Sequence, residues 1–169
     1  MPNWCANHIE ISGPKEKIQN LWDKVDETNN LLEHLYPLKK NRSREDAISG
    51  WGCKWDIDPC ELALEYNKIT GYFESPWSPP TIAVANFLSA NPDCNIDLYY
   101  YEPAMDFAGS FHDGDIIISD QDKDFWINDE VGQMLDGHFG VYDHIEEYEE
   151  EVMTEVIATP PDVLINPED

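Results

Sequence analysis

Up to Thr28 the apolar side chains follow two patterns in turn, first that of a strand and then that of a helix. Between residues 4 and 12 the side chains alternate between two faces, and a period of two is typical of a β-strand. One of these faces carries Cys5, Asn7, Ile9 and Ile11. A proline follows at the first position of a predicted helix, and the next apolar residues recur at i, i+3, i+4 and i+7. They are Ile18, Leu21, Trp22 and Val25, which predict an amphipathic helix that ends near Thr28.

The central part of the chain has a less regular pattern. Residues 29–50 are predicted to be irregular, apart from a short helix at 31–35. Residues 51–57 and 69–75 look like strands, whereas the pattern at 61–66 fits either a strand or a short helix. A helix, a strand and a hairpin are then predicted. They are expected at residues 82–90 with Ser78 as the cap, at 96–102, and at 107–112 and 116–119 on either side of Asp113-Gly114.

The order of these elements predicts an α+β fold. Strand, helix, strand, strand, helix, strand is the order of a split βαβ arrangement. We therefore expect one antiparallel sheet with two helices on one face, followed by an extra hairpin. An acidic helix is expected near the C-terminus because apolar residues there step by four and three. This apolar stripe consists of Val141, Ile145, Tyr148, Val152 and Val156.

Charge is distributed unevenly along the chain. The sequence holds 35 acidic and 10 basic residues, a formal net charge of −25. Residues 93–169 carry 22 of the acidic residues and a single basic one, Lys123. Because the phosphate backbone requires Lys and Arg, this balance argues against direct binding of nucleic acid. With 41% hydrophobic residues and 6 Trp, 8 Tyr and 6 Phe, the chain is nevertheless expected to fold around a core.

Location and redox state can also be predicted from the composition. No run of 18 apolar residues occurs and the N-terminus has no apolar signal segment, so we expect a cytoplasmic protein that does not bind membranes. If the protein is encoded by a phage, this means the cytoplasm of the host. The four cysteines are then expected to be reduced.

Three segments together resemble a known family. They are Pro2-Asn3-Trp4-Cys5-Ala6-Asn7 with Gly13, Trp51-Gly52-Cys53-Lys54-Trp55, and Trp77-Ser78-Pro79-Pro80 followed by Glu102-Pro103-Ala104-Met105-Asp106-Phe107-Ala108-Gly109. In these motifs the chain resembles the YubB ferredoxin-like domain family, which is found on bacteriophages and plasmids. The resemblance implies a ferredoxin-like domain at residues 1–119, with residues 120–169 as an acidic extension packed on or beside it. It implies no iron–sulfur cluster, and it brings no catalytic residue.

The acidic helix is the first candidate for a functional site. Seven acidic residues between 143 and 155 cover about 18 Å of helix, roughly one charge per 2.6 Å. Duplex DNA carries one charge per about 1.7 Å, so a groove built for nucleic acid would meet a similar field. We therefore expect a non-catalytic nucleic-acid mimic that evades host defence by binding a basic, nucleic-acid-binding host protein. Its partner-binding residues would be Asp143, Glu146, Glu147, Glu150 and Glu151, with a half-exposed Trp126 as an anchor.

A second hypothesis places a divalent cation in the preceding acidic segment. Asp120, Asp122 and Asp124 match the first ligand positions of an EF-hand loop, although Phe125 replaces the glycine of the sharp turn. This alternative function is a divalent-metal-binding module or a metal-dependent enzyme, with His112 as a further candidate residue. No other cofactor is expected, and weak cation binding is expected of any surface this acidic. A third hypothesis is a phage accessory protein whose charge serves solubility alone.

Four tryptophans recur in the family-like motifs. Trp4, Trp51, Trp55 and Trp77 are expected to fill the core between the sheet and the helices. A ligand platform made from the same rings is the alternative.

Overall fold

The computed structural model describes residues 3–59, 61–117 and 123–158. Its helices and strands alternate along the chain in an α+β arrangement, which confirms the predicted fold class. The strands are β1 (Trp4–Ser12), β2 (Leu62–Glu65), β3 (Lys68–Pro76), β4 (Asn95–Glu102), β5 (Phe107–Ser110) and β6 (Gly114–Ile117). The helices are α1 (Lys15–Thr28), α2 (Leu32–Leu35), α3 (Arg44–Trp51), α4 (Thr81–Ala90), α5 (Lys123–Asn128), α6 (Glu130–Phe139) and α7 (Val141–Ala158).

All six strands belong to one antiparallel sheet. Their order is β2-β3-β1-β4-β5-β6, so β1 lies between β3 and β4. Ile9 of β1 faces Gly71 of β3 on one side and Leu98 of β4 on the other. The extra hairpin predicted after β4 is β5–β6, and Gly114 takes a positive φ of 81° beside its tip.

The main core lies on the face of the sheet that carries Ile9, Ile11, Ile96 and Leu98, all with 0% exposure. Helices α1 to α4 supply the opposing side chains, among them Ile18, Val25, Leu32, Trp51 and Val84. The two helices predicted on one face of the sheet, α1 and α4, therefore pack on this face, together with the short helices α2 and α3. This apolar burial is the dominant favourable contribution to folding.

The opposite face of the sheet, here called the second face, is covered in part by the C-terminal helices. A smaller cluster consists of Ala108, Trp126, Leu135 and Val141, all at most 1% exposed. Tyr99 and Tyr101 of β4 pack against it from the sheet. Since side chains alternate along a strand, β4 thus contributes Leu98 and Tyr100 to the main core and its odd-numbered tyrosines to the second face.

The strand predicted at residues 51–57 is wrong. Trp51 instead ends α3, and Gly52 terminates that helix with a φ of 92°. The start of α3 is a capping box in which Ser43 and Asp46 each accept a hydrogen bond from the other's backbone N–H. The residues after Gly52 make other hydrogen bonds than those of a sheet: the Cys53 thiol bonds the Trp55 carbonyl, and the Asp56 carboxylate accepts from two backbone N–H groups of α2.

Two further predictions are settled near α4. Residues 62–65 form a strand, which decides between the two alternatives left open for that segment. Ser78 does not cap α4, because its hydroxyl donates to the Gly52 carbonyl at 2.6 Å. Pro80 occupies the N-cap position without a side-chain hydrogen bond.

The sequence pattern does not predict α5 and α6. Asp129 caps α6 by accepting hydrogen bonds from the N–H groups of Val131 and Gly132. The two helices approach so closely that a Cβ on Gly132 would overlap the carbonyl oxygen of Phe125. In the part of the chain that the structure describes, no helix has the length and apolar character needed to cross a membrane.

Candidate functional site

The acidic face of α7 is a stripe of carboxylates that points away from the sheet. Asp143, Glu146, Glu147 and Glu150 lie at i, i+3, i+4 and i+7, and all four are exposed. This spacing places them on one side of the helix. The other side buries Val141 and partly buries Ile145 in the smaller cluster, so α7 is anchored while its acidic face stays exposed. Glu151 also belongs to α7, but its side chain lies outside the described residues, as do those of Tyr148, Val152 and Val156.

The start of α7 is fixed by its neighbour. Gly140 ends α6 with a φ of 61°, and the next residue begins α7. The Asp136 carboxylate accepts a hydrogen bond of 2.7 Å from the Tyr142 N–H in the first turn of α7. A carboxylate at this position also interacts favourably with the helix dipole. The orientation of the acidic face is thus tied to α6.

Lys123 is paired beside the acidic face. Its ammonium lies 2.6 Å from Glu149, and this hydrogen bond raises the pKa of the lysine. The Tyr142 hydroxyl donates to Glu146 at 2.6 Å, which raises the pKa of the phenol. A shallow cavity of about 290 Å³ lies between these groups and Met153. Lys123 is the single basic residue from 93 to 169, so very little positive charge nearby in the sequence neutralises the carboxylates of the acidic face.

Trp126 does not lie on this surface. It is 1% exposed, so the expectation of a half-exposed ring is wrong. The indole stands at 81° to the Tyr101 ring with a centroid distance of 5.9 Å, an edge-to-face contact. Its neighbour Phe125 is the partly exposed ring of the pair. Trp126 holds α5 against the sheet and cannot act as a surface anchor.

The proposed metal segment is described only in part. Asp120 and Asp122 lie outside the described residues. Asp124 is exposed in the first turn of α5 and accepts a hydrogen bond of 2.8 Å from Asn128. Across residues 3–59, 61–117 and 123–158, no three His, Cys, Asp or Glu side chains come together as a metal site.

The second candidate for metal or acid–base chemistry is the β5–β6 hairpin. His112 Nε2 lies 3.3 Å from Asp97 of β4. Asp113 instead exchanges hydrogen bonds with Ser110 at the hairpin tip, and Asp115 accepts from the Tyr100 hydroxyl at 2.6 Å. The structure therefore pairs His112 with Asp97 and uses the two aspartates, Asp113 and Asp115, to shape the hairpin.

A stack of four rings on the second face is not predicted from the sequence. His138 of α6 contacts both His8 of β1 and Tyr99 of β4, with centroid distances of 4.4 and 4.5 Å, while those two rings are 6.4 Å apart as neighbours on the sheet. Tyr72 of β3, the cross-strand neighbour of His8, lies 4.6 Å from it between ring centroids. Burial lowers the pKa of both histidines, and for His8 the neighbouring His138 lowers it further. Both rings therefore favour the neutral form, and α6 docks on the sheet through uncharged imidazoles.

The four motif tryptophans divide into two groups. Trp51 is fully buried, and its indole N–H donates to the Tyr36 carbonyl at 2.7 Å, as expected of a core residue. Trp77 is partly buried. Trp4 and Trp55 are 43% and 41% exposed, so the expectation that they fill the core is wrong. Trp4 belongs to the second face of β1, and Trp55 lies in the loop after α3.

The comparisons with known proteins agree with the architecture. The family described as the ferredoxin-like domain in Api92-like protein matches residues 50–144. The match begins at the end of α3, crosses residue 119 and continues through α6 into the first turn of α7. No curated protein and no solved structure matches the chain. Since the matched segment covers more than half of the chain, the chain belongs to this ferredoxin-like family.

Proposed function

We propose that this chain is a non-catalytic binding protein that presents the acidic face of α7 to a basic, nucleic-acid-binding protein. The observation that carries the proposal is the exposed stripe of Asp143, Glu146, Glu147 and Glu150 on a helix whose opposite side is anchored. A partner with a basic cleft would bind this stripe in place of its nucleic acid.

The spacing of the carboxylates supports this mode of binding. The four charges from Asp143 to Glu150 lie along about 10.5 Å of helix axis, roughly one charge per 2.6 Å. The value approaches that of duplex DNA, about 1.7 Å per charge, so a cleft lined with Lys and Arg gains comparable attraction from either ligand. The stripe is also held rigidly, because the Asp136 carboxylate and the small cluster fix α7 at its start. Less conformational entropy is then lost on binding than with a free acidic tail.

The repulsion within the stripe also favours a role in binding. Like charges at i, i+4 destabilise a helix by a few tenths of a kcal/mol per pair. Asp143 with Glu147 and Glu146 with Glu150 are two such pairs, so the stripe opposes helix formation. A positively charged partner removes this penalty when it binds.

A phage or plasmid origin is part of the proposal. It is supported by the motifs of the YubB ferredoxin-like family described above, which occurs on such elements. Mobile elements benefit from blocking host enzymes that attack nucleic acid, and the host cytoplasm is where such enzymes act. The host partner would accordingly be a defence or nucleic-acid-processing protein.

The test compares two variants with the same change in net charge. The first, here called the α7 variant, carries Asp143→Asn, Glu146→Gln, Glu147→Gln and Glu150→Gln. The control carries Glu16→Gln, Asp26→Asn, Glu27→Gln and Glu65→Gln, at exposed positions away from α7. Immobilised wild-type chain captures partners from host lysate under washes of increasing salt, and each captured protein is then bound to a fluorescent DNA duplex.

The expected result is that wild type and the control release the duplex, whereas the α7 variant requires at least about tenfold more protein. The release should weaken steeply as salt increases, because the pairing is electrostatic. An equal loss of release in both variants would show that overall charge, and not the acidic face, causes the effect, and full release by the α7 variant would contradict the proposal.

A further inference from the structure

A groove on the second face has the chemistry of a cation receptor. Its volume is about 650 Å³, and it lies where β1 and β3 meet the loop that follows α3. Pockets that bind ligands typically occupy about 300–1,000 Å³. Three exposed aromatic residues line it, Trp4, Trp55 and Tyr72, each between 41% and 43% exposed, and the buried Phe73 lies at its base.

The two indoles form a corner. The ring centroids of Trp4 and Trp55 are 6.2 Å apart and the planes stand at 78°. A cation placed in such a corner can lie over the electron-rich face of one indole, and Tyr72 on the neighbouring strand also lines the groove. Aromatic rings arranged around a cavity bind cations through their quadrupoles, and tryptophan does so best.

The loop that carries Trp55 is held in place although the ring is exposed. On one side Cys53 is buried and its thiol hydrogen-bonds the Trp55 carbonyl at 3.4 Å. On the other side Asp56 accepts hydrogen bonds from the N–H groups of Leu32 and Glu33 at 2.8 and 2.9 Å, which ties the loop to α2. The exposed ring is therefore preorganised, which lowers the entropy lost on binding.

Two other tryptophans of the chain have a cationic side chain over the ring face. Arg42 lies over the Trp51 ring at 4.5 Å, and Lys54 lies over the Trp77 ring at 3.9 Å. Among the described residues, no lysine or arginine is placed over Trp4 or Trp55. The charged residues that line the groove within the described ranges are acidic; they are Asp56, Asp58, Glu61 and Glu74. Electrostatic complementarity therefore selects a cationic occupant.

We propose that this groove binds an arginine side chain presented by a basic peptide segment of a partner protein. A guanidinium is planar, so it can stack on an indole while its N–H groups fork towards a carboxylate such as Glu74. The remaining volume accommodates the residues on either side of the arginine. This site is separate from the acidic face of α7, so the inference does not depend on the proposed function.

The probe is a capped pentapeptide with a single arginine between glycines, titrated calorimetrically and by tryptophan fluorescence against the full chain. The same peptide with lysine, and with neutral citrulline, are the comparison ligands. We expect arginine to bind tightest, lysine about threefold more weakly, and citrulline with no measurable heat, since the positive charge is required.

Variants locate the site. Trp55→Ala is expected to weaken arginine-peptide binding about fivefold, whereas Tyr66→Ala should leave it unchanged. Tyr66 is a matched control because it is 97% exposed at the far end of the β2–β3 hairpin. If Trp55→Ala proves unstable, Glu74→Gln at an exposed strand position serves instead and should also weaken binding.

Three outcomes would overturn the proposal. The first is equal binding by Trp55→Ala, or by Glu74→Gln in its place, and Tyr66→Ala. The second is equal binding of the arginine and citrulline peptides. The third is loss of peptide binding in the α7 variant, because it would assign the peptide to the acidic face. If the test of the acidic face fails while the peptide still binds, the groove proposal is unaffected. If the peptide does not bind while the acidic face still displaces DNA, the proposed function is unaffected.

Discussion

The two faces of the sheet differ in what they bury. Among the described residues, the main face contributes to a core cluster of 22 buried residues beneath α1 to α4, whereas the cluster beneath α5 to α7 has four. The second face instead carries the stack around His8 and His138 and the groove beside Trp4. Because strand side chains alternate, one sheet can obtain its stability from one face and keep polar and aromatic groups available on the other.

The largest expected difference in stability between the two faces is that between two tryptophan variants. Trp51→Ala removes a fully buried side chain and its hydrogen bond to Tyr36, and should lower the free energy of unfolding by about 3–5 kcal/mol. Trp55→Ala, only four residues away but 41% exposed, should lower it by less than about 1 kcal/mol. Urea unfolding monitored by circular dichroism measures both. Similar losses in the two variants would mean that Trp55 contributes to the core as Trp51 does.

An intermediate effect is expected from two glycines of α6. Gly132→Ala places a Cβ against the Phe125 carbonyl, so α5 and α6 must separate, at about 1–3 kcal/mol. Gly137→Ala meets no atom within 4 Å and should stabilise the helix by roughly 0.5–1 kcal/mol. Hydrogen exchange in α5 to α7 should accelerate in the first variant and slow in the second, while β1 and β4 change little. Equal acceleration in the central strands would show that the two faces unfold as one unit.

The smallest effect is a dependence of stability on pH. Well above the ordinary histidine pKa of about 6.5, His8 and His138 are neutral in the folded and the unfolded chain. As the pH falls below this value the unfolded chain takes up protons first, because burial lowers the pKa of both rings in the folded state. The free energy of unfolding therefore decreases until the pH passes the folded pKa values. Nearby Glu10 moderates the effect by raising both pKa values.

His138→Phe is the matching variant, since it keeps a ring in the stack but removes its titration. Urea unfolding at about pH 7.5 and about pH 5.5 should show a smaller loss in the variant than in wild type. If both chains lose the same stability over this interval, protonation elsewhere causes the pH dependence.

Local patterns in the sequence account for much of the fold. The alternation around Ile9 and the spacing of Ile18 to Val25 predict β1 and α1 because each pattern is complete within one element. The segment before Trp51 gives a wrong prediction because its helix depends on the Ser43–Asp46 capping box more than on an apolar stripe. Helix α6 escapes prediction because Gly132 and Gly137 lower helix propensity, although Gly132 is needed for close packing.

The candidate sites also differ in how far the sequence predicts them. The acidic face of α7 can be predicted because i, i+3, i+4 and i+7 spacing fixes its geometry without any other element. The position of Trp126 cannot, since its burial depends on where α5 meets Tyr101. The groove also escapes prediction, because it requires the register of β1 with β3 and the fixing of the Trp55 loop to α2 through Asp56.

The central position of β1 affects how the chain is completed during synthesis. Strand β1 is paired on both sides by strands that are made after it, and the second of these, β4, ends at Glu102. At about 5–20 residues per second, roughly 5–20 s pass between the synthesis of β1 and that of β4. Until β4 is made, the sheet beside Ile9 and Ile11 is incomplete even after β3 has formed, so we expect this nascent segment to bind a chaperone that shields hydrophobic surface.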